Sequence, residues 1–224
     1  MKLLCISDLI DPLVYSPNIK ERFSDIDLIL CAGDLPLDYL DFIASSLNRP
    51  LLFVFGNHHI EKMPNAKNPG PDFSINHSES QIDNWGSNHI GSKIRMEESL
   101  IIMGLGGCMR YNRGPNQYSD FQMYLEIIRL LPVLLFHRIF HGRYVDILLT
   151  HAPPRSIHDR QDRCHQGFKA FLWFMKLFKP QYLIHGHVHL YDLSDIRITQ
   201  YRKTTVVNAY SHCIIHCDKA PKNG

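Results

Sequence analysis

Asp8, Asp34, Asn57, His58, His151, His187 and His189 are the residues of this chain best suited to doing chemistry together. Each stands just after a short apolar run. Residues 3–6 lead into Ser7-Asp8, 28–31 into Gly33-Asp34, 51–55 into Gly56-Asn57-His58, 147–149 into Thr150-His151, and 182–184 into His185-Gly186-His187-Val188-His189. Carboxylate, carboxamide and imidazole groups are ligands for hard or borderline cations. Taken singly, such a residue at a strand exit is usually a turn, cap or hydrogen-bonding residue. The same ligand chemistry at five exits is a pattern, and it reads as a metal site.

The apolar runs must be the elements that position these groups. Each reads as a buried strand, and in an open α/β sheet ligands gather beyond the carboxyl ends of the strands. After Pro36, the helical spacing of Leu37, Leu40, Ile43, Ala44 and Leu47 predicts a helix that returns the chain to the third strand. A short surface helix is expected at 18–23, and a hairpin at 93–103 across Glu97-Glu98-Ser99. From Asp120 a helix is expected with Phe121, Tyr124, Leu125, Ile128 and Leu131 on one face. Pro132 should end or kink it before a second short helix to Phe140. A strand at 145–149 and a helix turning Phe168, Phe171, Leu172 and Met175 inward follow. Three strands at 196–199, 205–208 and 211–217 complete the series. This order predicts two mixed β-sheets packed face to face with helices on both outer sides, a four-layer αββα sandwich, in a single domain over residues 1–224. Residues 60–92, punctuated by Pro and Gly and rich in Asn and Ser, read as a lid or insertion loop pinned by Phe73 and Trp85. The glycines at 104–107 lack the spacing of a dinucleotide fingerprint.

Lys+Arg 24 against Asp+Glu 22 leaves a formal charge of +2, which gives no basic field for a nucleic-acid partner. The 14 histidines are a high count for this length and favour metal chemistry. Cys5, Cys31, Cys108, Cys164, Cys213 and Cys217 make no two-residue spacing, so they read as packing residues of a protein in a reducing compartment. No run is long enough for a signal peptide or a spanning helix, and a cytoplasmic protein without a membrane partner is expected.

The ordered blocks Asp8, Gly33-Asp34, Gly56-Asn57-His58, His151 and Gly186-His187-Val188-His189 resemble the signature of the calcineurin-like metallophosphoesterases. The stretch 104–118 and the block Thr150-His151-Ala152-Pro153-Pro154 resemble the small microbial branch of that family. The resemblance implies a metal-dependent phosphoesterase with one or two divalent ions, Mn, Fe or Zn, acting on a small phosphate ester, a diester before a monoester. It implies that Asp34 bridges two ions, that Asn57, His151 and His187 complete one site, and that Asp8 and His189 belong to the other. His58 matches the family's catalytic histidine, and His59 beside it reads as structural. The family usually has a histidine two residues after the first aspartate, where this chain has Ile10, and Asp11 is the nearest substitute. Ile10 supports an alternative, a degenerate fold used as a protein-binding scaffold. Arg110, Asn112 and Arg113, after the glycine-rich turn, are expected to hold substrate phosphate. Arg155, His158 and His165 read as surface residues of the same rim.

Overall fold

A computed structural model of the chain describes residues 1–58, 87–192 and 194–217. In the first of its two main sheets, β1 (Lys2–Ser7), β2 (Leu28–Cys31), β3 (Leu51–Phe53) and β4 (Ser87–His89) run parallel, and β13 (Ser211–His216) is antiparallel to β1 at the other edge. In the second, β5 (Lys93–Glu97) and β6 (Leu100–Leu105) form the expected hairpin. Next come β9 (Ile147–Thr150), β10 (Tyr182–His185), β12 (Thr204–Asn208) and β11 (Ile198–Tyr201), in the order β11-β12-β10-β9-β6-β5. A two-stranded pair, β7 (Cys108–Met109) and β8 (Gln117–Tyr118), lies apart.

The inner strands β1, β2, β3, β6, β9 and β10 are almost wholly apolar because both of their faces are covered, whereas the edge strands β5 and β11 are mixed and partly exposed. Along β1, Leu3 and Cys5 point into the layer between the sheets, where they meet Leu30, Ile147, Leu149 and Ile184. Leu4 and Ile6 point the other way, onto α1 (Ile19–Phe23) and α2 (Leu37–Leu47). The far face of the second sheet carries α3 (Asp120–Arg129), α4 (Leu131–His141) and α5 (Lys169–Phe178), with Phe171 and Phe174 wholly buried. Burying one such ring contributes about 1.5–3 kcal/mol. The four layers are the αββα sandwich expected from the sequence.

Two expectations need correction. The inward face of α3 is Met123 and Ile127, while Phe121 and Ile128 are exposed, because α5 packs against the other of two overlapping apolar stripes. Ser119 starts that helix through a capping box with Gln122. Residues 87–89, read as part of the long loop, are instead β4, paired with β3. The remainder of that loop, with His59, Phe73 and Trp85, lies outside the described residues. Pro132 opens α4 near its first position, where a missing N–H costs nothing. Among the described residues no helix is long and apolar enough to cross a membrane.

Candidate metal centre

Five strands deliver their exits to one place. Asp8, Asp34, Asn57 and His58 come from the first sheet, and His151, His187 and His189 from the second. The backbone turns sharply at three of these positions: Asp8 (φ 62), Asp34 (φ 56) and His187 (φ 67) are left-handed. Such a conformation is sparsely populated for residues other than Gly and Asn and is held by the surrounding bonds. Gly33, at φ 104, permits the turn before Asp34, and a side chain there would press on His151 Nδ1 at 2.7 Å.

The ligand-type atoms of Asp8, Asp34 and His151 all lie within 4.8 Å of one another. Asp34 accepts a hydrogen bond from the His58 backbone N–H at 2.9 Å, and its Oδ2 is 3.3 Å from His151 Nε2. Asn57 Oδ1 is 3.1 Å from the same nitrogen. Asp8 accepts from the His187 backbone N–H at 2.8 Å and from the Ser7 hydroxyl. His189 Nε2 is 3.8 Å from Asp8 Oδ1, and its ring stacks on Tyr210.

Two buried imidazoles are oriented by backbone carbonyls. His151 Nδ1 donates to Ala32 O at 2.8 Å, which leaves Nε2 for Asp34 and Asn57. His187 Nε2 donates to Cys164 O at 2.6 Å, which leaves Nδ1 with its lone pair free of a proton. Fixing one ring nitrogen on a carbonyl is how ligand histidines are held in one tautomer. The Cys164 carbonyl is itself fixed by Asp162, whose carboxylate accepts from the Cys164 thiol at 2.8 Å, the His165 backbone N–H at 3.1 Å and His165 Nδ1 at 2.8 Å. His165 lies against the His187 ring.

Burial alone would lower the His151 pKa, but the Asp34 and Asp8 carboxylates outweigh it and raise it to about 9. Burial, then the His151 charge, lower His187 to about 3, so its ring is neutral. Burial raises Asp8, against the pull of His151 and Ser7. In the metal-free protein the protonated His151 therefore stabilises the fold fully below its ordinary value of 6.5, and that contribution fades as pH rises through about 9. A cation accepted by Asp34, Asn57 and His151 must displace the Nε2 proton. Mn²⁺ affinity is expected to rise about tenfold per pH unit above neutrality and to level off near pH 9. Calorimetry in two buffers of different ionisation enthalpy should find one proton released per ion at pH 7. A pH-independent affinity without proton release would remove His151 from the ligand set.

Not every expected site residue is turned toward this centre. Ile10 is exposed, and Asp11 is committed elsewhere: it accepts from Leu13 N at 2.8 Å, His212 Nδ1 at 2.6 Å and the Ser211 hydroxyl. Arg110 donates to Gln122 Oε1 at 2.9 Å and Gln117 O at 3.3 Å, and Asn112 Oδ1 accepts from Gln117 Nε2 at 2.6 Å. Both hold the 110–117 loop in shape, and Arg113 is exposed beside them. Arg155 faces Asp159 at 3.8 Å. His158 is bonded to the buried His185 at 2.9 Å and to Thr199 at 2.8 Å. Sequence reasoning missed Tyr111, whose hydroxyl accepts from Asn57 Nδ2 at 3.3 Å, and Asn116, which donates to Gly56 O at 3.1 Å. No local signal could have found either, since both partners lie more than fifty residues upstream.

A family model described as calcineurin-like phosphoesterase matches residues 1–191. One solved crystal structure superposes with a TM-score of 0.64 at 14% identity, covering 96% of this chain and 94% of that one. TT1561 of Thermus thermophilus superposes with a TM-score of 0.61 at 13% identity, covering 94% and 89%. At these identities the likeness shows the fold. No curated protein matches the sequence.

Proposed function

The chain belongs to the calcineurin-like phosphoesterase family, and from that premise we propose that it is a metal-dependent phosphodiesterase acting on small phosphate esters in the cytoplasm. The observation that carries this reading is the pair of buried imidazoles, His151 and His187, each with one nitrogen held by a backbone carbonyl. Apolar packing gives no reason to orient two histidines in this way beside Asp8 and Asp34.

The donor set fits one or two Mn, Fe or Zn ions: carboxylate, carboxamide and imidazole, with no thiolate. Asp34 would bridge, Asn57, His151 and His187 would hold one ion, and Asp8 and His189 the other. Ions held there supply Lewis acidity toward phosphoryl oxygens and make a water more acidic. Asn57 is kept in place by Tyr111 and by the loop that Gln117 organises. His58 is exposed at the rim while its backbone is tied to Asp34, so its ring can meet an ester and donate a proton to the leaving oxygen. The exposed Arg113 is the guanidinium left to face substrate phosphate. Six free thiols suit a reducing compartment.

The test is hydrolysis of bis(p-nitrophenyl) phosphate by metal-stripped protein with added Mn²⁺. His58→Ala is expected to lose about a hundredfold in rate while keeping its metal. The scaffold reading is favoured by Ile10, which leaves Asp8, Asp34 and His189 without a fourth side chain on one side. A folded protein that binds Mn²⁺ but turns over no ester would make that reading the better one.

A further inference from the structure

Between β9 and α5 the chain brings three metal-ligating heads of different chemistry together beside the candidate centre. Asp162 Oδ1 is 2.8 Å from Cys164 Sγ and 2.8 Å from His165 Nδ1, and the sulfur and the nitrogen are 3.4 Å apart. The three converge within the same 4.8 Å limit as the Asp8, Asp34 and His151 group. Asp162 is exposed, and Cys164 and His165 are half-buried, so water could satisfy each head separately. Instead the one oxygen Oδ1 takes the thiol, the imidazole and the His165 backbone N–H.

The loop that carries them is closed on itself and tied to the core. The Arg160 N–H donates to His165 O at 3.1 Å, the Gly167 N–H to Asp159 Oδ2 at 3.1 Å, and the Cys164 carbonyl accepts from His187 Nε2. The donors are therefore held close to one another before any ion arrives. Two cationic side chains are near in sequence. Arg160 is engaged elsewhere, on His189 O at 2.9 Å and over the Tyr191 ring, and Arg163 is exposed.

We propose that Asp162, Cys164 and His165 form a separate site for a borderline divalent cation such as Zn²⁺, with water in the fourth position. Around a tetrahedral ion with bonds of about 2.0–2.3 Å, such ligands stand about 3.4–3.6 Å apart. Sulfur and nitrogen already have that spacing, and the exposed carboxylate has to withdraw by less than about 1 Å. On binding, the thiol proton leaves to water and the imidazole proton passes from Nδ1 to Nε2, so one proton is released per ion. The thiolate sets this site apart from the candidate centre, whose oxygen and nitrogen donors suit Mn²⁺ as well, because sulfur selects zinc over manganese. An ion here also stiffens the loop whose Cys164 carbonyl orients His187.

The test uses Co²⁺ as a visible substitute for Zn²⁺, titrated into the metal-stripped full chain. Wild type is expected to develop a near-ultraviolet thiolate-to-cobalt charge-transfer band and to lose it when Zn²⁺ is added. Cys164→Ser, its fold checked by thermal melting, should lack the band and bind one Co²⁺ fewer per chain. His165→Gln should shift the midpoint of the band at least about tenfold toward higher Co²⁺, a ligand being worth no less than a partner behind one. Asp34→Asn should keep the band, which separates this site from any failure of the candidate centre. No band in wild type at saturating Co²⁺ would overturn the proposal, as would a band that persists in folded Cys164→Ser, ignores His165→Gln or disappears in Asp34→Asn. If Cys164→Ser does not fold, alkylation of Cys164 in wild type, followed by peptide mass spectrometry, takes its place. Slowing by Zn²⁺ supports the site, and an unchanged rate overturns it.

Discussion

Asp34→Asn should reduce Mn²⁺-dependent hydrolysis by more than about a thousandfold and leave a folded protein with little bound metal. Asparagine keeps the shape of the side chain and accepts a left-handed backbone readily, so the turn at φ 56 is not disturbed. Its oxygen can still accept the His58 N–H. What is lost is one negative charge, at the point where Asp34 faces His151 and adds to the field on Asp8. Without that charge burial dominates His151, whose pKa falls back from about 9. The measurement is turnover of bis(p-nitrophenyl) phosphate together with metal content after dialysis. Full metal occupancy in the folded variant would show that the Asp34 charge is not needed to hold the metal, whatever happened to the rate.

Gly186→Ala should cost about a hundredfold in activity and about 1–3 kcal/mol in stability through one added methyl group. A Cβ at Gly186 would collide with the Ser7 hydroxyl and the Asp8 carboxylate. Gly186 cannot retreat, because its N–H donates to His151 O at 2.9 Å and the next residue donates to Asp8 at 2.8 Å. The methyl therefore pushes Asp8 away from the other ligand groups. Urea titration beside the hydrolysis assay separates the two effects. Wild-type activity in this variant would mean that the position of Asp8 is unimportant to the centre.

The strands and the four-layer stack were legible because the physics involved is local. An apolar run buried on both faces looks the same in sequence as in structure, and Asp8, Asp34, Asn57, His151 and His187 mark where each run leaves the core. Helix α3 was legible as a helix but not in its orientation. Phe121 and Ile128 are as apolar as Met123 and Ile127, and only the position of α5 decides between the stripes. Arg110 and Asn112 show a related ambiguity: a polar loop after a glycine turn can serve a ligand or itself, and Gln117 engages both within the loop. The carbonyls of Ala32 and Cys164 that orient the two histidines leave no trace in sequence, since every residue but the tautomer they impose is indifferent to them.

Because three ligand-type side chains hang from one sheet and three from the other, their mutual distances are inherited from the thickness of the apolar layer between the sheets. Leu3, Cys5, Leu30, Ile147, Leu149 and Ile184 carry no chemistry, yet they act as the gauge blocks that space the two halves of the centre. A close-packed layer cannot lose a methylene without a shift or a void. How well the two halves would fit an ion thus depends partly on the hydrocarbon of the core, on the same strands that carry the ligand-type residues.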